Sequence, residues 1–350
     1  MKSHYTIPFF IPHKGCPFSC IFCDQNKITG KTGIIPPSGV APKIRSYLKT
    51  IPKRDVFVET AFFGGSFTGL KRDLQRSYLE KVRPFIKKGQ IQGIRISTRP
   101  DFIDADILAM LKKFGVERIE LGVQSISDKV LKRSGRGHTA YDVERASRLI
   151  LEKGFRLGHQ LMVGLPGSTF KDELLSAKRS IMLGAGEVRI YPLVVIKGTP
   201  LAKMWSKGLY IPLSEGEAIK RCAALISLFE KEKVRVIRCG LHPSKGLLSG
   251  KEYCAGPFHP AFRQKVETYL YRMLFKAIFK DKKLLRTIKT IFYNPKEASS
   301  VIGYCRANAV YIEGLVDRRG IFKASASTKP GTVCLRFNNG KRMTAKRSKY

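Results

Sequence analysis

The chain has 350 residues, 43% of them hydrophobic, which excludes a disordered basic tail and allows one large α/β domain with a smaller appendage. It carries 65 Lys and Arg against 27 Asp and Glu, a formal net charge of +38. Charge of this size favours polyanions such as nucleic acid as partners, with compositional bias as the plain alternative. Residues 241–350 alone hold 23 Lys and Arg against 6 Asp and Glu. The N-terminal Ile7-Pro8-Phe9-Phe10-Ile11-Pro12 is too short and too broken by proline for a signal peptide or a membrane span. A cytoplasmic, reducing location without membrane contact is expected.

Thr6 to Ile11 reads as the first strand. Directly after it, Cys16, Cys20 and Cys23 stand at C-x3-C-x2-C spacing. Three thiolates on one short loop can ligate three irons of a cubane iron–sulfur cluster and leave the fourth iron open to a small molecule. With His13 the same cysteines could instead form a structural zinc site, although the second ligand pair usual for zinc is missing. Cys222, Cys239, Cys254, Cys305 and Cys334 are scattered and read as buried free thiols.

Beyond the cysteines, strands and helices alternate as in a parallel sheet. Val56 to Phe63 is a strand ending at Gly64-Gly65, and Leu70 to Lys88 is a helix with Leu74, Tyr78, Leu79, Val82, Phe85 and Ile86 on one face. Gly93 to Ser97 (strand), Asp104 to Phe114 (helix), Arg118 to Val123 (strand) and Tyr141 to Lys153 (helix) follow. Arg156 to Val163 (strand), Lys171 to Leu183 (helix), Val188 to Val195 (strand) and Ser214 to Lys233 (helix) complete about six βα units. Six units are fewer than the eight of a closed barrel, so the expected fold is a partial (βα)6 barrel with its motif loops on one face. A boundary is expected near residue 240, dividing 1–240 from a small basic α+β domain at 241–350 that is a candidate for RNA binding. In that domain Phe262 to Phe279 reads as a basic amphipathic helix, and Asn294-Pro295-Lys296 opens another. Gly320 to Phe337 reads as a hairpin about Lys329-Pro330-Gly331-Thr332, and Asn338 to Tyr350 as a frayed end.

The cysteine loop, with Phe22 before its last cysteine, resembles the signature of radical S-adenosylmethionine (SAM) enzymes. Thr60 to Thr68, Ser97 to Asp101, Glu120 to Ser125, Arg136 to Thr139, Met162 to Ser168 and Arg189 to Val194 resemble the radical SAM core of the Elongator catalytic subunit, in the same order. The resemblance covers about Tyr5 to Cys239 and implies a TIM-like partial barrel of the radical SAM type. It also implies a [4Fe-4S] cluster on Cys16, Cys20 and Cys23, with SAM at the open iron. Reductive cleavage of SAM would then release a 5′-deoxyadenosyl radical. A low-potential electron donor such as flavodoxin or ferredoxin is implied as a partner.

Gly64, Gly65 and Ser66 would approach the methionine amino group through backbone carbonyls, as glycine permits. Ser66 stands where the superfamily commonly has an acidic residue. Ser97 and Arg99 are expected at the ribose or carboxylate. Gln124 and Ser125 would add hydrogen bonds, as would His159 or Gln160 on the fifth strand, and Tyr191 would line the floor of the SAM pocket. Arg136 and His138 of the Gly135-Arg136-Gly137-His138 loop are expected to meet substrate phosphate. No acetyl-CoA-type glycine loop follows residue 240, so the acetyltransferase part of the Elongator subunit is not expected. The leading expectation is tRNA or other RNA modification. The alternatives are radical chemistry on a small molecule, as in coproporphyrinogen dehydrogenase-like enzymes, and a non-catalytic iron–sulfur protein that binds RNA or senses redox state.

Overall fold

The computed structural model describes residues 3–11, 16, 20–30, 35–52 and 55–347. His13, on which the zinc alternative depends, lies outside the described residues. Strands β1 (Ser3–Ile11), β2 (Val56–Gly64), β3 (Gly93–Thr98), β4 (Val116–Gln124), β5 (Arg156–Val163) and β6 (Glu187–Pro192) lie side by side in chain order. The short β7 (Val195–Ile196) leaves the sheet, and β8 (Arg235–Cys239) returns to its far edge. β7 pairs instead with β9 (Tyr253–Ala255).

All pairings in the seven-stranded sheet are parallel, and β1 does not pair with β8, so the sheet is a half-barrel, open along one side. One strand more is present than the expected six. Arg235–Cys239 is only five residues long and lies against the expected domain boundary, which hides it in the sequence.

Helices α1 (Gln25–Thr29), α2 (Val40–Leu48), α3 (Arg72–Lys87), α4 (Ala105–Lys113), α5 (Asp128–Arg133), α6 (Ala140–Glu152), α7 (Phe170–Met182) and α8 (Pro200–Ser206) occupy the connections. Local chemistry sets their starts. Asp104 caps α4, and Thr139 with Asp142 and Thr169 with Asp172 form reciprocal capping boxes at α6 and α7.

Strand alternation sorts the two faces of the sheet. Ile7, Phe9, Val58, Phe62, Ile94, Ile96, Ile119, Leu121, Leu157, Leu161, Val188 and Ile190 are buried. The opposite parity carries Glu59, Arg95, Ser97, Gln160, Glu187 and Arg189, which line a cavity.

Contacts divide the chain into two compact units, Met1–Leu213 with Val234–Phe258, and Ser214–Lys233 with His259–Tyr350. Relative to a cut after residue 240, helix α9 (Glu215–Lys231) belongs with the second unit, whereas α10 (Lys245–Leu248) and β9 stay with the half-barrel. The second unit is α+β. Its helix α11 (Phe262–Ile278) is followed by α12 (Lys282–Thr287), β10 (Ile288–Tyr293), α13 (Ala298–Val301), α14 (Ala307–Val316), β11 (Phe322–Ala324), β12 (Thr332–Phe337) and β13 (Arg342–Lys346).

Two expectations for this unit change. The hairpin is β12 with β13, turning at Asn338 to Gly340, because β11 pairs parallel to β10 instead. The expected frayed end is therefore in part a strand, β13 taking Arg342–Lys346. Arg347 fixes it further through Glu230 and Glu267. Helix α11 is the expected helix, and its apolar residues form the centre of the unit. Val266, Tyr271, Leu274 and Phe275 are fully buried, and Tyr271, Leu274 and Phe275 share a core with Ile291, Val333 and Leu335. Phe275→Ala should destabilise this unit by about 3–5 kcal/mol, read as a lower denaturation midpoint for the full chain.

Candidate active site

The strand C-termini of the half-barrel open on a cavity of about 960 Å³. Cys16, Cys20 and Cys23 all line it, with Cys20 buried and the other two half-buried. Burial pushes the Cys23 thiol up to about 12, and the neighbouring Cys20 and Cys16 act in the same direction. Cys16 is also raised by burial, while the backbone N–H of Ser66 and the Arg99 and Arg136 cations work against that shift. Thiols held this way ionise on binding a thiophilic centre, not before. Among the described residues no three Cys, His, Asp or Glu side chains converge on a position for a single metal ion.

Beside Cys16, whose thiol meets the Ser66 N–H, β2 ends in a glycine cradle. Gly64 has φ 103°, and a Cβ there would stand 3.3 Å from the backbone N and C of Ile11. A side chain at 64 would thus meet the adjoining strand, which pairs Ile11 with Gly64. Gly65 N donates to Ile11 O at 2.8 Å, and Gln25 donates to Gly64 O. Ser66 turns its hydroxyl away to Thr98 at 2.7 Å and to the Arg99 N–H at 3.2 Å, so its side chain ties β2 to β3. Ser97 accepts from Gln160 Nε2 at 3.3 Å, and both line the cavity. Arg99 lines it too, with its guanidinium donating to both Asp101 oxygens. Tyr191 sits nearby on β6.

Gln124 ends β4 with φ 67°, a conformation that costs a side-chain-bearing residue about 1 kcal/mol or more. Its amide oxygen has no hydrogen-bond partner among the described residues. That oxygen is itself buried, so Gln124 lines the cavity wall with strain and an unsatisfied acceptor together, a pairing that marks a candidate ligand contact.

His159 is a correction. Gln160 faces the cavity, so His159, one residue earlier, faces the helices. Its ring lies between Ser147 Oγ at 3.1 Å and Ser180 Oγ at 3.0 Å, and burial lowers it to about 3. It is a neutral core histidine joining α6 and α7. His138 also faces away from the cavity. It is buried against Val123 O at 3.2 Å, and burial followed by the Arg136 and Arg99 charges pushes it down to about 3. Arg136 does line the cavity, but its guanidinium faces Cys20 Sγ rather than open space for a phosphate.

Beneath these groups lies a charge network that motif spacing does not point to. Arg95 donates to Glu59 at 2.8 Å and to Glu120 at 2.5 Å, and pairs with Glu187 at 3.0 Å. Arg189 grips both Glu120 oxygens at 2.7 and 2.9 Å, and Gln160 donates to the same carboxylate at 2.9 Å. Arg118 donates to Glu187 at 2.7 Å. Buried Glu120 is held down to about 2, its arginine partners outweighing the opposing effect of burial. The sequence signal is the shared inward parity of Glu59, Arg95, Glu120, Gln160, Glu187 and Arg189 on successive strands. The arginines and Gln160 fix the cavity floor in one arrangement.

A family model described as the radical SAM superfamily matches residues 10–179, and a Radical_SAM C-terminal domain model matches 186–272. The chain belongs to the radical SAM superfamily. It is similar to a tRNA uridine(34) acetyltransferase of Methanocaldococcus infernus, 31% identical over 187 residues, which are 52% of this chain and 35% of that protein. It is also similar to the heme chaperone HemW of Bacillus subtilis, 30% identical over 62% of this chain and 57% of the relative. The chain thus spans about a third of the acetyltransferase relative's length. An archaeal Methanocaldococcus infernus Elp3 structure with an N-terminal deletion has a similar fold, with TM-score 0.62 and 23% identity over 78% of this chain and 64% of that one.

This radical SAM chain is an enzyme of that class, whose cofactors are a [4Fe-4S] cluster and SAM. The site suits both. Its donors at one end are thiols flanked by N–H groups, as a soft anionic cluster requires. Its glycine cradle admits a ligand close to backbone. Among the described residues, no helix of this radical SAM protein is long and apolar enough to cross a membrane.

Proposed function

We propose that this radical SAM enzyme modifies RNA, with tRNA as the substrate class. The three thiols and the Gly64–Gly65 cradle opening on one cavity support the enzymatic part of the reading. Cys16, Cys20 and Cys23 would hold the cluster. The backbone at Gly64, Gly65 and Ser66, together with Ser97, Arg99, Gln124, Gln160 and Tyr191, would hold SAM. When bound, the reduced cluster and SAM supply a carbon radical able to take a hydrogen atom from a substrate.

The chain's own groups prepare the cavity for that chemistry. Gln124 stands at the cavity wall with a buried, unsatisfied amide oxygen, and Ser97 with Gln160 presents a fixed hydroxyl–amide pair. The Glu120–Arg189–Arg95 network keeps the floor rigid and electrically satisfied. A low-potential donor such as ferredoxin or flavodoxin would deliver the electron.

The single observation behind the RNA substrate is the net charge of +38 on a chain whose relatives include proteins named for tRNA uridine. Affinity for tRNA should therefore fall about 100-fold or more between ~50 and ~200 mM salt, as about four or more phosphate contacts require. Nucleoside mass spectrometry of RNA from cells with and without the gene should show one modified nucleoside lost. Unchanged nucleosides, together with tRNA binding indifferent to salt, would exclude RNA. The greater coverage of the heme chaperone relative would then favour a small-molecule substrate.

A further inference from the structure

The Gly135-Arg136-Gly137-His138 loop is built to aim one side chain at the cysteine loop. Gly135 and Gly137 take φ 63° and 71°, so the backbone turns sharply on both sides of Arg136. Arg136 N donates to Leu131 O at 3.0 Å, anchoring the loop to α5. The guanidinium is buried, donating through Nη1 to Cys20 Sγ at 3.4 Å and through Nη2 to Gly122 O at 2.5 Å. Gly122 leaves room for this approach, since a Cβ there would lie 3.3 Å from Nη2, a tight contact. Two residues before Arg136, the Ser134 carbonyl accepts from Ile21 N at 3.2 Å. The loop therefore grips two consecutive residues of the cysteine loop, Cys20 by its sulfur and Ile21 by its backbone.

We infer that Arg136 is a positioning residue for the cluster, fixing the Cys20 sulfur and raising the cluster's reduction potential. This rests on the proposed role of Cys16, Cys20 and Cys23 as its ligands. One-electron reduction makes the cluster more negative. A buried cation and an N–H on a ligand sulfur stabilise that form more than the oxidised one. The fork geometry of arginine matters because one group must reach both the sulfur and the Gly122 carbonyl.

The test is a potentiometric titration, followed by electron paramagnetic resonance, of the full chain after anaerobic cluster reconstitution. It compares the wild type with Arg136→Met and Arg136→Lys. At the potential where the wild type is half reduced, the reduced-to-oxidised ratio in R136M should be about tenfold lower, a midpoint about 59 mV more negative for one electron. R136K keeps the charge but loses the fork, and its midpoint should fall between the two. If R136M does not fold, R136K carries the test alone.

A folded variant with about four irons per chain and the wild-type midpoint would overturn the inference while leaving the cluster reading intact. A wild type that takes up no four-iron cluster would overturn both.

Discussion

Cys20→Ala should yield a folded protein with no four-iron cluster and no 5′-deoxyadenosine from SAM. Wild type should carry about four irons per chain after anaerobic reconstitution. Of the three thiols, Cys20 is the most enclosed and the one joined to Arg136, so its loss removes a ligand and strands a buried cation. The sheet should survive, because its helix-facing side is a separate apolar layer of Ile94, Ile96, Ile119 and Leu121. Iron analysis, SAM cleavage and circular dichroism on one preparation decide the matter. A C20A protein that still cleaves SAM would end the assignment of this cysteine.

The second large effect concerns stability. Glu120→Gln should cost about 3–5 kcal/mol, because removing one partner of a buried ion network leaves the others uncompensated. Arg189 makes both of its carboxylate bonds to Glu120.

The wild type should also unfold in acid in a defined order. His159 is lowered to about 3 from an ordinary value near 6.5, so its neutral form contributes stability that is complete above ~6.5 and declines as pH falls toward 3. Glu120 is lowered to about 2 from 4.5, so its contribution is complete above ~4.5 and is lost as pH falls through about 2. Both groups bind more protons when unfolded over these windows, so both slopes have stability rising with pH. In E120Q the curve between about pH 4.5 and 3 should become shallower, keeping the histidine contribution, while the segment above 4.5 remains. Denaturant midpoints measured across pH 7 to 3 would show this, and an unchanged lower segment would remove Glu120 from the account.

Much of the half-barrel is legible in the sequence because each strand alternates apolar residues with others. Runs such as Arg118 to Val123 cannot hide their period of two. The cysteine spacing and the glycine cradle are legible for the same kind of reason, since their chemistry is local. What escapes is non-local. Parity on β5 separates Gln160 from His159, but only the packed helices show that Ser147 and Ser180 await the imidazole. Arg136 looks like a solvent-facing phosphate ligand until the left-handed glycines on either side are seen to turn it inward. The ion network involves four strands, each contributing one or two charges that look incidental in their own segment. In the second unit, Pro330-Gly331 is a true turn signal, but it leads into β12 rather than joining two strands of one hairpin.

The interleaving of the two units has a consequence for how the protein is made. Strand β8, which finishes the half-barrel, emerges from the ribosome only after α9, whose partners lie further on. Neither unit is a continuous stretch, so synthesis cannot finish one before starting the next. For that interval Leu225, Ile226 and Phe229 of α9, buried in the finished protein, have nothing of their own unit to cover them. The nascent chain passes through a stage in which it is a natural client for chaperones.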